Sequence, residues 1–230
     1  KYNHLTLMGF SLTHLSGTGI PDLGDFLFIP GTGEMKLEPG THEDPDQGYR
    51  SRYSHDKEWA SPNYYAVELA DYGVKAEMTS GVRSGMFRFT YPESDNAFIM
   101  IDMNHTLWQS CEWSNLRMIN DSTITGYKLV KGWGPERHVY FTATFSKKLT
   151  GLRFVQDKKP VIYNTSRFRS SYEAWGKNLM ACISFDTKAG EEVTVKTAIS
   201  AVSTDGARNN MKELDGLTFN ELRAKGEALW

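Results

Sequence analysis

From residue 65 to residue 200 the chain repeats one pattern, a short run of alternating apolar and polar residues followed by a turn. Residues 65–69 and 74–78 show it most clearly, and we expect them to form a hairpin with one face open to solvent. No helical pattern separates these runs, so the sequence predicts a mainly β fold, a large antiparallel β-sandwich. The further predicted strands are residues 85–91, 97–101, 116–120, 122–131, 138–145, 151–156, 161–163, 179–185 and 192–200, the last two as a pair.

The segment 9–30 joins two predicted strands through a loop of small residues. Its run 26–29 (FLFI) is uniformly apolar, as in a buried strand. Residues 16–19 (SGTG) combine glycines, which allow positive φ, with hydroxyls that bond to nearby backbone. Loops held between anchored strands often carry functional sites, so His14 is a candidate, although a purely structural role for the loop stays open. No Gly-Lys-Ser/Thr follows, so this is not a phosphate-binding loop. We expect the next long connection, residues 38–52, to be an exposed loop.

Only the last part of the chain changes its period. Thr218 to Glu221 match a capping box and open a helical pattern. We therefore divide the chain into a β-sandwich domain, residues 1–203, and a helical linker, residues 204–230. A helix that simply packs on the sandwich is the alternative. The side chains predicted to share one helical face are Phe219, Leu222, Gly226, Leu229 and Trp230.

Composition excludes several classes of partner and site. The formal net charge is −2, with a pI near 6.3, so nothing in the charge favours nucleic acid or an anionic membrane. No apolar run approaches the ~20 residues that a membrane span requires. Cys111 and Cys182 either form one bridge or remain free, and their spacing is not that of a metal site.

The acidic residues do not form an evident catalytic pair. We interpret the carboxylates that lie close together in the sequence as solvated loop groups. These are Asp22 and Asp25, and Glu43, Asp44 and Asp46.

Tryptophans in polar stretches are a second group of candidates. Their faces would suit a platform that stacks on sugar rings, although such residues more often cap a sandwich core. They are Trp59, Trp108, Trp113, Trp133 and Trp175.

Several long motifs, in a constant order, resemble the N-terminal domain of glycoside hydrolase family 92. After residue 150 the resemblance rests on the strand pattern and the final helix. One departure is Asn63, where family members often have Gly; Asn tolerates a left-handed backbone nearly as well. The matching segments are residues 9–19 (GFSLTHLSGTG), 24–30 (GDFLFIP), 53–69 (YSHDKEWASPNYYAVEL), 71–79 (DYGVKAEMT), 88–92 (RFTYP), 124–127 (ITGY), 132–133 (GW) and 139–146 (VYFTATFS).

The resemblance implies part of a bacterial, calcium-dependent exo-α-mannosidase with an inverting mechanism. In such an enzyme one carboxylic acid protonates the leaving oxygen and a carboxylate base activates water. In the family, the sandwich packs against a larger (α/α)6 helical domain that holds the acid, the base and most calcium ligands. We therefore expect this chain alone to be inactive, with no catalytic residue or metal ligand of its own.

The resemblance also implies partners and a location. The substrates would be α-mannoside glycans, such as N-glycans or mannan, and the protein would be secreted, to the periplasm or the cell surface. The residues that transfer as substrate rim or domain interface are His14, Ser16, Gly17, Thr18 and Gly19, and more weakly His55 and Glu58.

The alternative hypothesis is a stand-alone carbohydrate-binding module without catalysis. It would use exposed Trp and Tyr side chains as its sugar platform. It predicts measurable sugar affinity for the isolated chain.

Overall fold

A computed structural model describes residues 4–15, 21–162 and 172–229. Two helices, α1 (Thr204–Met211) and α2 (Phe219–Glu227), follow the strands, with a short 3-10 turn at Lys212–Leu214 between them. In chain order, the strands of the described residues are β1 (Thr6–Leu7), β2 (Leu27–Thr32), β3 (Ser51–Arg52), β4 (Glu58–Ser61), β5 (Tyr64–Leu69), β6 (Val74–Ser80), β7 (Ser84–Tyr91), β8 (Ser94–Asp102), β9 (Ser110–Asn120), β10 (Thr123–Lys131), β11 (Arg137–Phe145), β12 (Gly151–Gln156), β13 (Lys159–Pro160), β14 (Glu173–Gly176), β15 (Leu179–Thr187) and β16 (Glu191–Ser200).

The strands of this part of the chain form two large antiparallel sheets. One has nine strands in the order β14-β9-β10-β11-β16-β7-β6-β5-β4, and the other has five in the order β13-β12-β15-β8-β2. Strands β1 and β3 pair separately. The predicted class, a mainly β antiparallel sandwich with a short C-terminal helix, is confirmed.

The core between the sheets combines aliphatic side chains with a cluster of aromatic rings. Phe28 of β2 lies 5.1 Å from Phe87 of β7, and Phe26 lies 4.5 Å from Phe141 of β11, measured between ring centroids. All four rings are buried. Burying each ring contributes about 1.5–3 kcal/mol, so this cluster contributes substantially to holding the two sheets together.

Two strand predictions were wrong in detail. Residues 179–185 and 192–200 form β15 and β16, but β15 pairs with β8, whereas β16 pairs with β7 and β11. The chain crosses from one sheet to the other between them, and local alternation carries no information about that crossing. The strand predicted at 161–163 is instead β13 at Lys159–Pro160, and residue 163 lies outside the described residues.

The connection 38–52 is not a fully exposed loop. Tyr49 is buried, and its hydroxyl donates a hydrogen bond of 3.0 Å to the Asp102 carboxylate. Its backbone N–H donates to the carbonyl of Glu38 at 2.7 Å. The tyrosine ring therefore packs the loop against the outer face of the five-stranded sheet.

The outer face of the β5–β6 hairpin is also less open than expected, because α2 packs over it. Glu77 of β6 is only 3% exposed and accepts hydrogen bonds from Arg88 Nε and Nη2 at 3.0 and 2.9 Å. The Arg88 guanidinium lies 4.3 Å from the ring centroid of Phe219 in α2. Glu77 thus lies on the face of the hairpin that the alternation predicts to be polar, yet helix α2 covers that face and buries it.

Helix α2 begins as its sequence predicts and approaches the sheet closely. Thr218 and Glu221 form the capping box. A Cβ on Gly226 would lie 1.5 Å from Nδ2 of Asn63, so only glycine permits this contact. Asn63 has a φ of 62°, the left-handed backbone expected at a position where family members often have glycine. Leu229 is exposed and lies off the packed stripe, and Trp230 lies outside the described residues.

Candidate functional site

The N-terminal loop lies next to a cleft. His14 forms an isolated β-bridge with Leu23 and lines this cleft together with Tyr65. The other loop candidates, Ser16, Gly17, Thr18 and Gly19, lie outside the described residues.

The cleft has a volume of about 730 Å³. Its walls come from the N-terminal loop, the β4–β5 turn, the β6–β7 turn and the end of β16. The Thr197 side chain on β16 is buried here, and its hydroxyl has no hydrogen-bond partner among the described residues. A volume of this size suits a small ligand or an inserted side chain. Its apolar lining includes Leu12, Met78, Phe87 and Ile199.

The weaker candidates, His55 and Glu58, lie together behind Tyr65. A 3-10 turn at His55–Lys57 leads directly into β4 at Glu58. One oxygen of Glu58 lies 2.5 Å from His55 Nδ1, and the other accepts a 2.5 Å hydrogen bond from the Tyr65 hydroxyl. The structure therefore brings these two candidates into direct contact, and Tyr65, which lines the cleft with His14, links Glu58 to the edge of the cleft.

The partners of Glu58 determine its charge state. Partial burial opposes the charged form, but the hydrogen bonds from Tyr65 and His55 outweigh it and lower the pKa of Glu58 below its usual range. Burial raises the pKa of Tyr65, and the neighbouring Glu58 raises it further. Near neutral pH, Glu58 is thus an ionised acceptor held by two donors, which suits positioning rather than proton donation.

We expect Glu58 to make stability depend on pH in the acid range. Its pKa in the folded chain lies below its pKa in the unfolded chain, so its contribution is complete above the unfolded pKa and is lost as pH falls through the folded pKa. Glu58→Gln should cost about 1.5 kcal/mol at pH 7. The difference from the parent should shrink on acidification, as measured by urea unfolding at several pH values. A constant difference across that range would contradict an ionic role, and Glu34→Gln, at an exposed side chain, serves as the control.

A buried ion network lies beneath the same loop. Asp25 is 0% exposed, so its interpretation as a solvated loop carboxylate was wrong. It accepts hydrogen bonds from Arg137 at 2.7 and 3.1 Å and from the Thr13 hydroxyl at 2.8 Å. Nζ of Lys128, also 0% exposed, lies 3.7 Å away. Burial lowers the pKa of Lys128, and Asp25 opposes that shift. The sequence analysis missed both cations.

The other acidic candidates remain near the surface. Glu43 and Asp46 are exposed, as expected, whereas Asp22 and Asp44 are half-buried. Asp46 forms an ion pair with Arg52 at 2.7 Å.

Three bulky residues near this network adopt a left-handed backbone. Leu23, Phe26 and Trp108 have φ values of 66°, 57° and 70°. Their two loops are joined by a hydrogen bond from the Leu107 N–H to the Leu23 carbonyl at 2.9 Å. Each such residue costs roughly 1–3 kcal/mol and persists only where its surroundings impose it. Contacts between the two loops therefore stabilise a backbone conformation at this corner of the sandwich that these residues would not adopt on their own.

All five candidate tryptophans are exposed, so the expectation that they cap the core was wrong. Their exposed fractions range from 45% at Trp113 to 69% at Trp108. Trp113 and Trp175 lie on β9 and β14, whereas Trp108 and Trp133 lie in loops at the strand ends. Their rings are available to a partner.

Within residues 4–15, 21–162 and 172–229, no three His, Cys, Asp or Glu side chains lie close enough to hold a metal ion. Both cysteines of this part are buried and free, which resolves the alternative left open by the sequence. None of the described helices combines the length and apolar character that a bilayer crossing requires.

Comparison with known proteins relates the chain to one family of domains. The family model described as the glycosyl hydrolase family 92 N-terminal domain matches residues 1–200. A family GH92 inverting mannosidase from Bacteroides thetaiotaomicron superposes on 100% of the chain, with a TM-score of 0.79 and 21% identity. The GH92 family glycosyl hydrolase ccman5 superposes on 98%, with a TM-score of 0.75 and 24% identity. The chain spans 29% and 30% of these two proteins. No curated protein sequence gives a significant match.

Proposed function

Because the chain belongs to the glycosyl hydrolase family 92 N-terminal domain family, we propose that it is the β-sandwich part of a calcium-dependent, inverting exo-α-mannosidase. The observation that carries this proposal is the match over residues 1–200. The superposition of the whole chain on two GH92 proteins, one of them an inverting mannosidase, supports it. The substrates would be α-mannosides of N-glycans or mannan.

The role of the chain in this proposal is to shape the catalytic cleft. The general acid, the base and the calcium ligands would belong to a helical catalytic domain of the same polypeptide, and residues 204–230 would lead toward it. The state of the two best-placed carboxylates supports this assignment. The carboxylate oxygens of Asp25 and Glu58 already accept hydrogen bonds from side chains of this chain. Neither carboxylate is therefore free to transfer a proton to or from a substrate.

The cleft beside His14 would contribute to the substrate rim or to the contact with the catalytic domain. Its mixed lining of apolar side chains and a few polar groups suits either role. The protein would be secreted, to the periplasm or the cell surface, because polymeric glycans are found outside the cell.

Hydrolysis tests the proposal directly. The 230-residue chain and the product of the full reading frame are incubated with α-linked mannobiosides, with calcium and with chelator. We expect only the longer protein to release mannose, chelator to stop it, and proton NMR to detect the β-anomer first, as inversion requires. Mannose release by the short chain itself, or none by the longer protein with calcium, would contradict the proposal.

The exposure of the five tryptophans favours a second candidate, a carbohydrate-binding module without catalysis. In that case the short chain would bind saccharides and the full reading frame would hydrolyse none of them.

A further inference from the structure

Two of the most exposed tryptophans lie against each other. Trp108 and Trp133 are 69% and 65% exposed, and their ring centroids are 6.2 Å apart with an interplanar angle of 61°. One comes from the β8–β9 loop and the other from the β10–β11 loop. The two indoles therefore form an open angle on the surface.

The fold holds this pair in place at a cost in backbone energy. Trp108 has a φ of 70°, a conformation that a bulky side chain rarely adopts. The facing loop carries the same feature at Leu23, and a backbone hydrogen bond joins the two loops. Strain of this kind in a buttressed loop points to a functional constraint on the side chain it presents.

A chain of polar side chains joins the loops that carry the two rings. Gln109 follows Trp108 directly, accepts a 2.7 Å hydrogen bond from Arg137 and donates to Asp22. Gly132, next to Trp133, packs so closely that a Cβ would lie 2.6 Å from Cγ of Gln109. Arg137 is anchored by the buried Asp25, yet its side chain remains 27% exposed. The loops that carry the rings thus also carry hydrogen-bond donors and acceptors.

We propose that Trp108 and Trp133 form a glycan-binding subsite that stacks on one hexose of an α-mannoside chain, with Asp22 and Arg137 facing its hydroxyls. Sugar rings offer apolar C–H faces to aromatic rings and hydroxyls that both donate and accept. A protein partner fits less well, because a stable interface buries about 800 Å² on each side, and this patch has only two rings. The charges of the corner are largely paired, which suits a neutral ligand. The choice of mannoside rests on the proposed function.

Calorimetric titration of the chain with α-linked mannotriose tests the subsite. Trp108→Ala and Trp133→Ala should each weaken binding about tenfold, the loss expected for one stacked ring. Trp113→Ala and Trp175→Ala, which remove exposed tryptophans from strands β9 and β14, are the matched controls and should bind like the parent. Trp108→Gly removes the ring and relieves the backbone, so it should lose binding while unfolding at or above the temperature of the parent.

Several results would overturn the subsite. One is that the parent binds no saccharide at millimolar concentrations. Another is that Trp108→Ala and Trp133→Ala both bind like the parent. A third is that Trp113→Ala and Trp175→Ala lose as much affinity as the two loop variants. Binding of a glucan or xylan that depends on Trp108 and Trp133 would support the subsite and count against its mannoside preference. Because hydrolysis by the full reading frame is assayed separately, failure of the subsite and failure of the proposed function are distinguishable.

Discussion

Replacing Asp25 with Ala is expected to lower the free energy of unfolding by about 3–5 kcal/mol, the usual cost of removing one partner from a buried ion pair. The substitution leaves Lys128, which is fully buried, without its counter-ion and removes the two hydrogen bonds that Arg137 donates to Asp25. Thr13 also loses the acceptor of its hydroxyl. Urea unfolding of the purified chain, followed by tryptophan fluorescence, measures the change.

The pH dependence separates a charge effect from a cavity. Burial already lowers the pKa of Lys128, and loss of Asp25 should lower it further. The unfolded state then binds more protons than the folded state in the alkaline range, so the stability of Asp25→Ala should rise with pH. Asp25→Ala with Lys128→Met should recover much of the loss, and the half-buried Asp22→Ala should cost about 1 kcal/mol or less. A penalty for Asp25→Ala that neither pH nor the second substitution relieves would contradict this account.

Part of the network was readable from the sequence. In strand β10 the residues that share the inward face are Ile124, Gly126, Lys128 and Val130, so the period of two alone puts a lysine in the core. Arg137 has the same parity as Val139 in β11. Asp25 was not predictable, because it resembles a turn residue and meets both cations only through the path of its loop between the two sheets.

In the rest of the fold and in the site, features set by local sequence were likewise predictable, and features set by distant contacts were not. Local alternation located most strands, and the spacing of His55 and Glu58 placed them one 3-10 turn apart. Which strand pairs with which depends on contacts distant in the chain, as β15 and β16 illustrate. The Tyr65 hydroxyl on Glu58 and the contact between Trp108 and Trp133 likewise arise only when separate loops and strands come together.

Truncating Phe219 in α2 should cost about 3–5 kcal/mol and release the helix from the sheet. Its side chain is 5% exposed and packs with Met86, Leu214 and Leu222. The Arg88 guanidinium over its ring would also lose a cation–π contact. The capping box at Thr218 stabilises only the first turn, so nine residues of helix cannot persist without this apolar contact.

Hydrogen exchange can locate the effect of Phe219→Ala within the chain. Amides of residues 219–229 should exchange at least tenfold faster, whereas those of β8 and β15 in the other sheet should keep their protection at low denaturant. Phe219→Leu should cost less than about 1.5 kcal/mol, and Leu229→Ala, at a side chain that is 87% exposed, should change little. Equal loss of protection in both sheets would mean that α2 is part of one cooperative unit with the sandwich.

Under the proposed function, this helix continues toward the catalytic domain. Phe219→Ala in the full reading frame should therefore lower the temperature at which mannose release is lost, because the sandwich would no longer hold that connection in place.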